Sequence, residues 1–291
     1  MKLKQSMSKN SLPRRPGILF YHLVFSLMCV ALANFAQAGD KPAVWAKPDV
    51  FTLKFSFSNV HVIRAASPVL IDAGSPSDWQ TLVDKLADYE MKPCDIRWVV
   101  LTHAHPDHGG LAAKFQEGCG AKVVMHRRDI PMAAAGGVDP ALKYTRWISR
   151  LIWKLVDYQY LPFKPDLAID VAPFQSFDLA AIGLEGHAIS VPGHTSGSLA
   201  IALSDGRTFL GDMMAGGYLG GLVHAGQASE HYFHGDSAQN YRSLRGLLEA
   251  EALSHTFYLG HGGPLQRSDV LRALTALESR PHNDVLIRTV P

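Results

Sequence analysis

An α/β domain, sheets covered by helices, is what this sequence of 291 residues predicts. Three observations carry that prediction: short alternating apolar runs over residues 51–74, strand–helix alternation over 75–126, and strands followed by helices from residue 165 onward. The composition agrees, because 47% hydrophobic and 19% charged residues describe a globular chain and exclude disorder, collagen and coiled coil.

Ahead of the first strand lies a segment of a different kind. Lys2, Lys4, Lys9, Arg14 and Arg15 precede the apolar run GILFYHLVFSLMCVALA at 17–33, and Ala36 and Ala38 follow two apart. That order reads as an export signal, residues 1–38, cleaved after Ala38, with a retained membrane anchor as the alternative. Residues 39–291 then form the mature domain, in the periplasm or secreted, with no membrane insertion after cleavage. Losing the leader also reverses the sign of the chain: of 28 basic and 26 acidic residues, the mature domain keeps 23 and 26. A polyanion-binding surface has no overall electrostatic support, so nucleic acid is not the expected partner.

FTLKFSF, NVHVIRA and PVLIDAG, starting at Phe51, Asn59 and Pro68, read as antiparallel strands. Ser75, Pro76 and Asp78 open a helix through a capping box with proline at its first position, and Trp79, Leu82, Val83 and Leu86 share its apolar face. A strand over 97–101, the segment THAHPDHGG at 102–110, a short helix to about Gln116 and a strand over 122–126 follow. Cys94 and Cys119 each stand three residues before one of these strands. As parallel neighbours the strands would bring both thiols to one end of a sheet, as a disulfide or as two unpaired core thiols.

Residues 127–166 interrupt the alternation. Trp147, Ile148, Leu151, Ile152, Leu155 and Val156 repeat at helical spacing, and Trp153, Tyr158, Tyr160 and Phe163 add aromatic surface. Two readings stand side by side: an ordinary helix packed on the domain, or an aromatic helical cap lining an apolar substrate pocket. Beyond Pro165, DLAAI, GHAISV, LAIAL and RTFLG read as strands, and 213–226 as a glycine-rich loop. A helix is predicted over 237–251, with Tyr241, Leu244, Leu247 and Leu248 on its apolar side. After the strand HTFYL, a last helix capped by Ser268 runs to about Glu278.

The chemistry concentrates at strand ends. His103, His105, Asp107 and His108 directly follow the apolar strand at 97–101, and imidazole with carboxylate suits zinc or another borderline divalent ion. Four such donors exceed what one tetrahedral site takes from so short a stretch, so two metal centres are expected. His194 follows GHAISV, Asp212 follows RTFLG and His261 follows HTFYL, each beside glycine at the carboxyl end of a strand. Histidines that merely fill a core do not repeat in that way.

LIDAG at 70–74, THAHPDHGG at 102–110, PGHTSGS at 192–198, FLGD at 209–212 and GHGGP at 260–264 resemble, in order, the motifs of the metallo-beta-lactamase superfamily. The resemblance implies a four-layered αββα sandwich with metals at the sheet edge. It implies that His103, His105 and His194 hold one metal, that Asp107, His108 and His261 hold a second, and that Asp212 bridges them. Asp72 matches an aspartate that steadies a metal ligand from behind. The bridging aspartate resembles the hydroxyacylglutathione hydrolase and lactonase branches rather than true metallo-beta-lactamases, although Met213, Met214 and Ala215 stand directly after Asp212, and Tyr218 comes later than the tyrosine of the lactonases.

The expected activity is therefore a dinuclear hydrolase, with two divalent ions, zinc first among them, and a shared hydroxide attacking the carbonyl of an ester, thioester or lactone. Asp107 is the expected catalytic residue, orienting the nucleophile. The expected partner is a small-molecule substrate with an apolar or acyl part. A beta-lactam hydrolase, a phosphodiesterase and a non-catalytic metal-binding protein are the alternatives. His224, His231 and His234 read as surface-loop histidines, or as one hydrogen-bond donor to the substrate.

Overall fold

The computed structural model describes residues 49–155 and 159–280; the export signal and the cap residues Val156 and Tyr158 lie outside them. In chain order the elements are β1 (Asp49–Lys54), β2 (Asn59–Arg64), β3 (Val69–Ile71), α1 (Trp79–Ala87), β4 (Trp98–Val100), α2 (Pro106–Gly109), α3 (Ala112–Cys119) and β5 (Lys122–His126). There follow α4 (Ile130–Ala135), β6 (Lys143–Tyr144), α5 (Ser149–Ile152), β7 (Leu167–Ile169), β8 (Ser176–Asp178), β9 (Gly186–Ser190), β10 (Leu199–Leu203) and β11 (Arg207–Phe209). The chain continues with β12 (Ala215–Tyr218), β13 (Val223–Ser229), β14 (Phe233–His234), α6 (Ser237–Ala250), β15 (Thr256–Tyr258), β16 (Leu265–Gln266) and α7 (Arg267–Glu278).

Strand side chains alternate between two faces, and that alternation builds the layers. In β3, β4 and β5, Leu70, Val99, Val123 and Met125 pack with Leu82 and Leu86 of α1 and Phe115 of α3. Their neighbours Val69, Ile71, Val100 and Val124 turn the other way and meet Leu199, Ile201, Leu203 and Phe209 of the second sheet. On that sheet's far side Ala200, Ala202 and Phe257 pack with Leu244 and Leu248 of α6 and Leu274 of α7. Three apolar layers between four structural ones make the αββα sandwich. The first sheet runs β1-β2-β3-β4-β5-β7 and the second β16-β15-β11-β10-β9-β8. Parallel pairing of β3, β4 and β5, and of β11 with β15, sends their carboxyl ends to one edge.

At the opposite end of β4 and β5, Cys94 and Cys119 form a disulfide. Closing a loop of 25 residues removes about 3–4 kcal/mol of chain entropy from the unfolded state.

Several expected elements differ. The periodic run from Trp147 gives only the short α5 and a 3-10 turn at Trp153–Leu155, with Trp147 84% exposed. Tyr160 and Phe163 are instead buried in the core beneath the first sheet, where the Tyr160 and Phe163 amides donate to the carbonyls of Gly136 and Ala133 at the end of α4. DLAAI is a 3-10 turn after Asp178, whose carboxylate accepts from Ala180 N–H, rather than a strand. The glycine-rich segment is a hairpin, β12–β13, rather than a loop. The last helix starts at Arg267, with the Asp269 carboxylate accepting from Gln266 N–H, so Ser268 lies inside it. No helix among the described residues is long and apolar enough to cross a membrane.

Candidate metal centre

The edge that gathers the strand ends also gathers the seven expected donors. Their donor atoms fall into two groups, His103 with His105 and His194, and Asp107 with His108, Asp212 and His261; within each group the atoms lie within 4.8 Å of one another. Asp212 Oδ2 reaches both: it is 3.7 Å from His103 Nε2 and 3.5 Å from His194 Nε2, and 3.3 Å from His108 Nε2 and 3.2 Å from His261 Nε2. Asp107 Oδ2 stands 3.3 Å from His261 Nε2.

Four of the five rings, all but that of His105, are aimed from behind. Asp72 is buried at the end of β3 with φ +61°, a left-handed conformation that few non-glycine residues adopt. Its carboxylate accepts from Thr102 N–H at 2.8 Å, from the Thr102 hydroxyl and, at 2.8 Å, from His108 Nδ1. His103 Nδ1 donates to the Thr102 hydroxyl oxygen at 3.1 Å, His194 Nδ1 to the Phe233 carbonyl at 2.9 Å, and His261 Nδ1 to the Phe57 carbonyl. Ala104, between two histidines of one group, is held at both ends. Its N–H donates to Asp129 at 3.2 Å and its carbonyl accepts from the Tyr160 hydroxyl at 2.6 Å. Asp129 also accepts from Gly197 N–H and the Thr195 hydroxyl, so one buried carboxylate ties the loop of His103 to the loop of His194. Gly260 is required by proximity: a Cβ there would stand 2.1 Å from Asp212 Oδ1.

The donor set fits divalent cations. With their Nδ1 atoms donating outward, neutral His103 and His194 present bare Nε2 lone pairs to each other across 3.1 Å, and His105 Nδ1 lies 2.9 Å from His194 Nε2. Facing lone pairs repel unless a cation lies between them. Asp212 Oδ1 and the Nε2 atoms of His105 and His108 are buried and make no hydrogen bond; in a folded protein such orphans call for a partner.

Electrostatics divides the centre. Burial, reinforced for His103 and His194 by neighbouring rings, holds those two pKa values well below the ordinary one, and burial pushes His105 down to about 4. Burial opposes charge on His108 and His261 too, but the carboxylates of Asp212 and Asp107 outweigh it, raising His108 well above its ordinary value and His261 to about 10. The same pairing overcomes burial at Asp107 and Asp212, whose carboxyls are held below the usual range by His108 and His261.

Of the three histidines read as loop residues, only His224 is exposed. His231 and His234 are buried, and His231 Nε2 lies 3.3 Å from Asp212 Oδ2. The S-E-H-Y-F-H segment after the glycines was the available signal. An exposed apolar surface also lies beside the site. Phe57, whose carbonyl serves His261, abuts the hairpin tip so closely that a Cβ on Gly220 would stand 2.9 Å from its Cα, and Leu219, Leu222 and Val223 project there.

A family model described as the metallo-beta-lactamase superfamily matches residues 53–255. The chain is 27% identical over 259 residues, 81% of its length and 92% of the relative, to a probable metallo-hydrolase, YflN, of Bacillus subtilis. It is 29% identical over 157 residues, 54% of its length and 46% of the relative, to a hydroxyacylglutathione hydrolase of Anaeromyxobacter dehalogenans. In fold it is similar to the metallo-beta-lactamase family protein TTHA1429 of Thermus thermophilus, with a TM-score of 0.55 and 21% identity over 80% of this chain and 78% of that one. The chain belongs to the metallo-beta-lactamase superfamily and is a metal-dependent hydrolase.

Proposed function

We propose that this hydrolase is exported and uses two divalent ions, zinc first among them, to cleave an ester, thioester or lactone that carries an apolar or acyl part. The observation that carries the reading is Asp212, whose Oδ2 lies within 3.7 Å of ring nitrogens in both donor groups. A carboxylate shared in that way would set the spacing of two cations. When bound, such ions lower the pKa of a shared water towards ~7 and polarise a carbonyl oxygen. His103, His105 and His194 would hold one ion, and Asp107, His108 and His261 the other, with Asp72 fixing the His108 ring. Asp107 would be the catalytic residue: its side chain, 24% exposed, is the open carboxylate of the cluster and would orient the attacking water.

The apolar rim of Phe57, Leu219 and Leu222 suits an acyl part, and one relative is named for acting on a hydroxyacyl compound. A beta-lactam also presents a carbonyl and is the second reading.

The test is elemental analysis of protein purified without added metal, followed by a lactone, thioester, ester and lactam screen. About two ions per chain and turnover of one of the first three classes are expected; one ion or none in active protein would overturn the two-ion reading. Asp107→Ala, assayed with metal supplied until both sites are filled, should lower kcat by about 10²-fold or more; activity that survived with both ions bound would overturn that assignment. A mature protein whose mass includes residues before Gly39 would overturn export with cleavage.

A further inference from the structure

We propose that His231 is a further metal donor, an eighth protein ligand on the edge of the centre shared by His194 and Asp212. The presence of metal rests on the two-ion reading above; the role of His231 rests on its own geometry. Its Nδ1 lies 3.0 Å from the Phe233 carbonyl and, less closely, 3.3 Å from the Phe233 N–H. A carbonyl only accepts, so the shorter contact places the proton of the neutral ring on Nδ1. Nε2 then carries a bare lone pair and aims it at Asp212 Oδ2, 3.3 Å away. Two acceptors facing each other in a buried site are stabilised by a cation bound between them.

The same arrangement marks the histidines of the family pattern. His194 Nδ1 donates to the same Phe233 carbonyl, His108 Nδ1 to Asp72 and His261 Nδ1 to the Phe57 carbonyl, and in each ring Nε2 turns to Asp212. An outer ring nitrogen held by an acceptor and an inner one free is what metal-ligating histidines show. The donor atoms of His194, Asp212 and His231 lie within 4.8 Å of one another, close enough for one ion. His234, equally buried, does not share the pattern, since neither of its ring nitrogens has a hydrogen-bond partner. His231 would thus add a donor on the side of the centre where His194 and Asp212 meet.

Nitrogen NMR of the unsubstituted, zinc-loaded chain with labelled histidine tests this directly. Six metal-coordinated imidazoles are expected, His103, His105, His108, His194, His231 and His261; five, with His231 Nε2 protonated and donating to Asp212, would overturn the proposal alone. No coordinated imidazole would overturn the two-ion reading and this proposal with it. Cobalt titration gives an independent readout. His231→Gln should change the visible d–d bands and weaken one of the two equivalents by about 10–100-fold, whereas His224→Ala on the same hairpin should alter neither. Bands and affinities unchanged in His231→Gln would refute the role, and the labelled unsubstituted protein decides the matter if that variant does not fold.

Discussion

Loading metal should release protons from one half of the centre and none from the other. In the metal-free chain the half made of His103, His105 and His194 is neutral at pH 6, because burial and neighbouring rings keep these pKa values low, His105 at about 4. In the other half, His108 and His261 keep a proton each, His261 with a pKa of about 10, because the carboxylates of Asp107 and Asp212 hold them. A cation displaces those protons when it takes the ring nitrogens. The expected count at pH 6, below the ~7 at which a shared water would add its own proton, is about two protons for one equivalent and near zero for the other. Affinity for the proton-bearing half should therefore rise by about a hundredfold per pH unit there. Calorimetric titration in buffers of different ionisation heat reads the count from the slope of enthalpy against buffer heat. Equal counts for the two equivalents, or none for either, would refute the electrostatic division of the site. The same shift has a stability counterpart in the metal-free chain. The contribution of His261 is fully present below its ordinary pKa of 6.5 and is lost as pH rises through about 10.

Three further perturbations follow from named contacts. Asp72→Asn would turn an amide NH₂ towards either Thr102 or His108, both donors; metal affinity should fall about 10–100-fold, about 1.4–2.8 kcal/mol, in a chelator competition, and an unchanged affinity would count against its orienting role. Gly260→Ala places a methyl 2.1 Å from Asp212 Oδ1 and 2.5 Å from His108 Cε1, so one equivalent of metal should be lost while circular dichroism keeps the folded spectrum; two tightly bound ions in this variant would contradict the packing. At Asp129 burial raises the pKa to about 6 against the bonds it accepts, so the folded state binds its proton more readily and its contribution falls as pH rises from about 4 to about 6, by about 3 kcal/mol. Urea melts should show Asp129→Asn to be more destabilising at pH 4 than at pH 7, and a cost independent of pH would exclude that shift.

Much of the sandwich could be read along the chain because its strands are short and carry their faces in period two. Leu70, Val99 and Val123 against Val69, Val100 and Val124 is the pattern of a sheet buried on both sides. The run from Trp147 gives a shorter helix than its spacing predicts, for the complementary reason. Helical spacing states which residues would share a face, but a face forms only where a partner covers it, and Trp147 and Leu151 are exposed. The aromatics further on had other partners. Tyr160 is drawn under the first sheet by the Ala104 carbonyl, and Pro162 and Pro165 keep the segment extended.

The seven expected donors were legible because a residue just beyond a strand has its place fixed by that strand, and four strand ends share one edge. His231 follows a strand, β13, that belongs to neither of the two large sheets. Its position depends on the register of the β12–β13 hairpin, in which Ala215 pairs with Ser229 and so brings the chain back to within two residues of where His231 meets Asp212. Glycines at 216, 217, 220, 221 and 226 hide that pairing, since they lack the alternating apolar side chains by which a strand is recognised. The donor set is thus built from two kinds of information, local for the strand-end residues and long-range for the histidine that the hairpin delivers. A change that slips the hairpin by one residue should therefore displace His231 while leaving the strand-end donors in place.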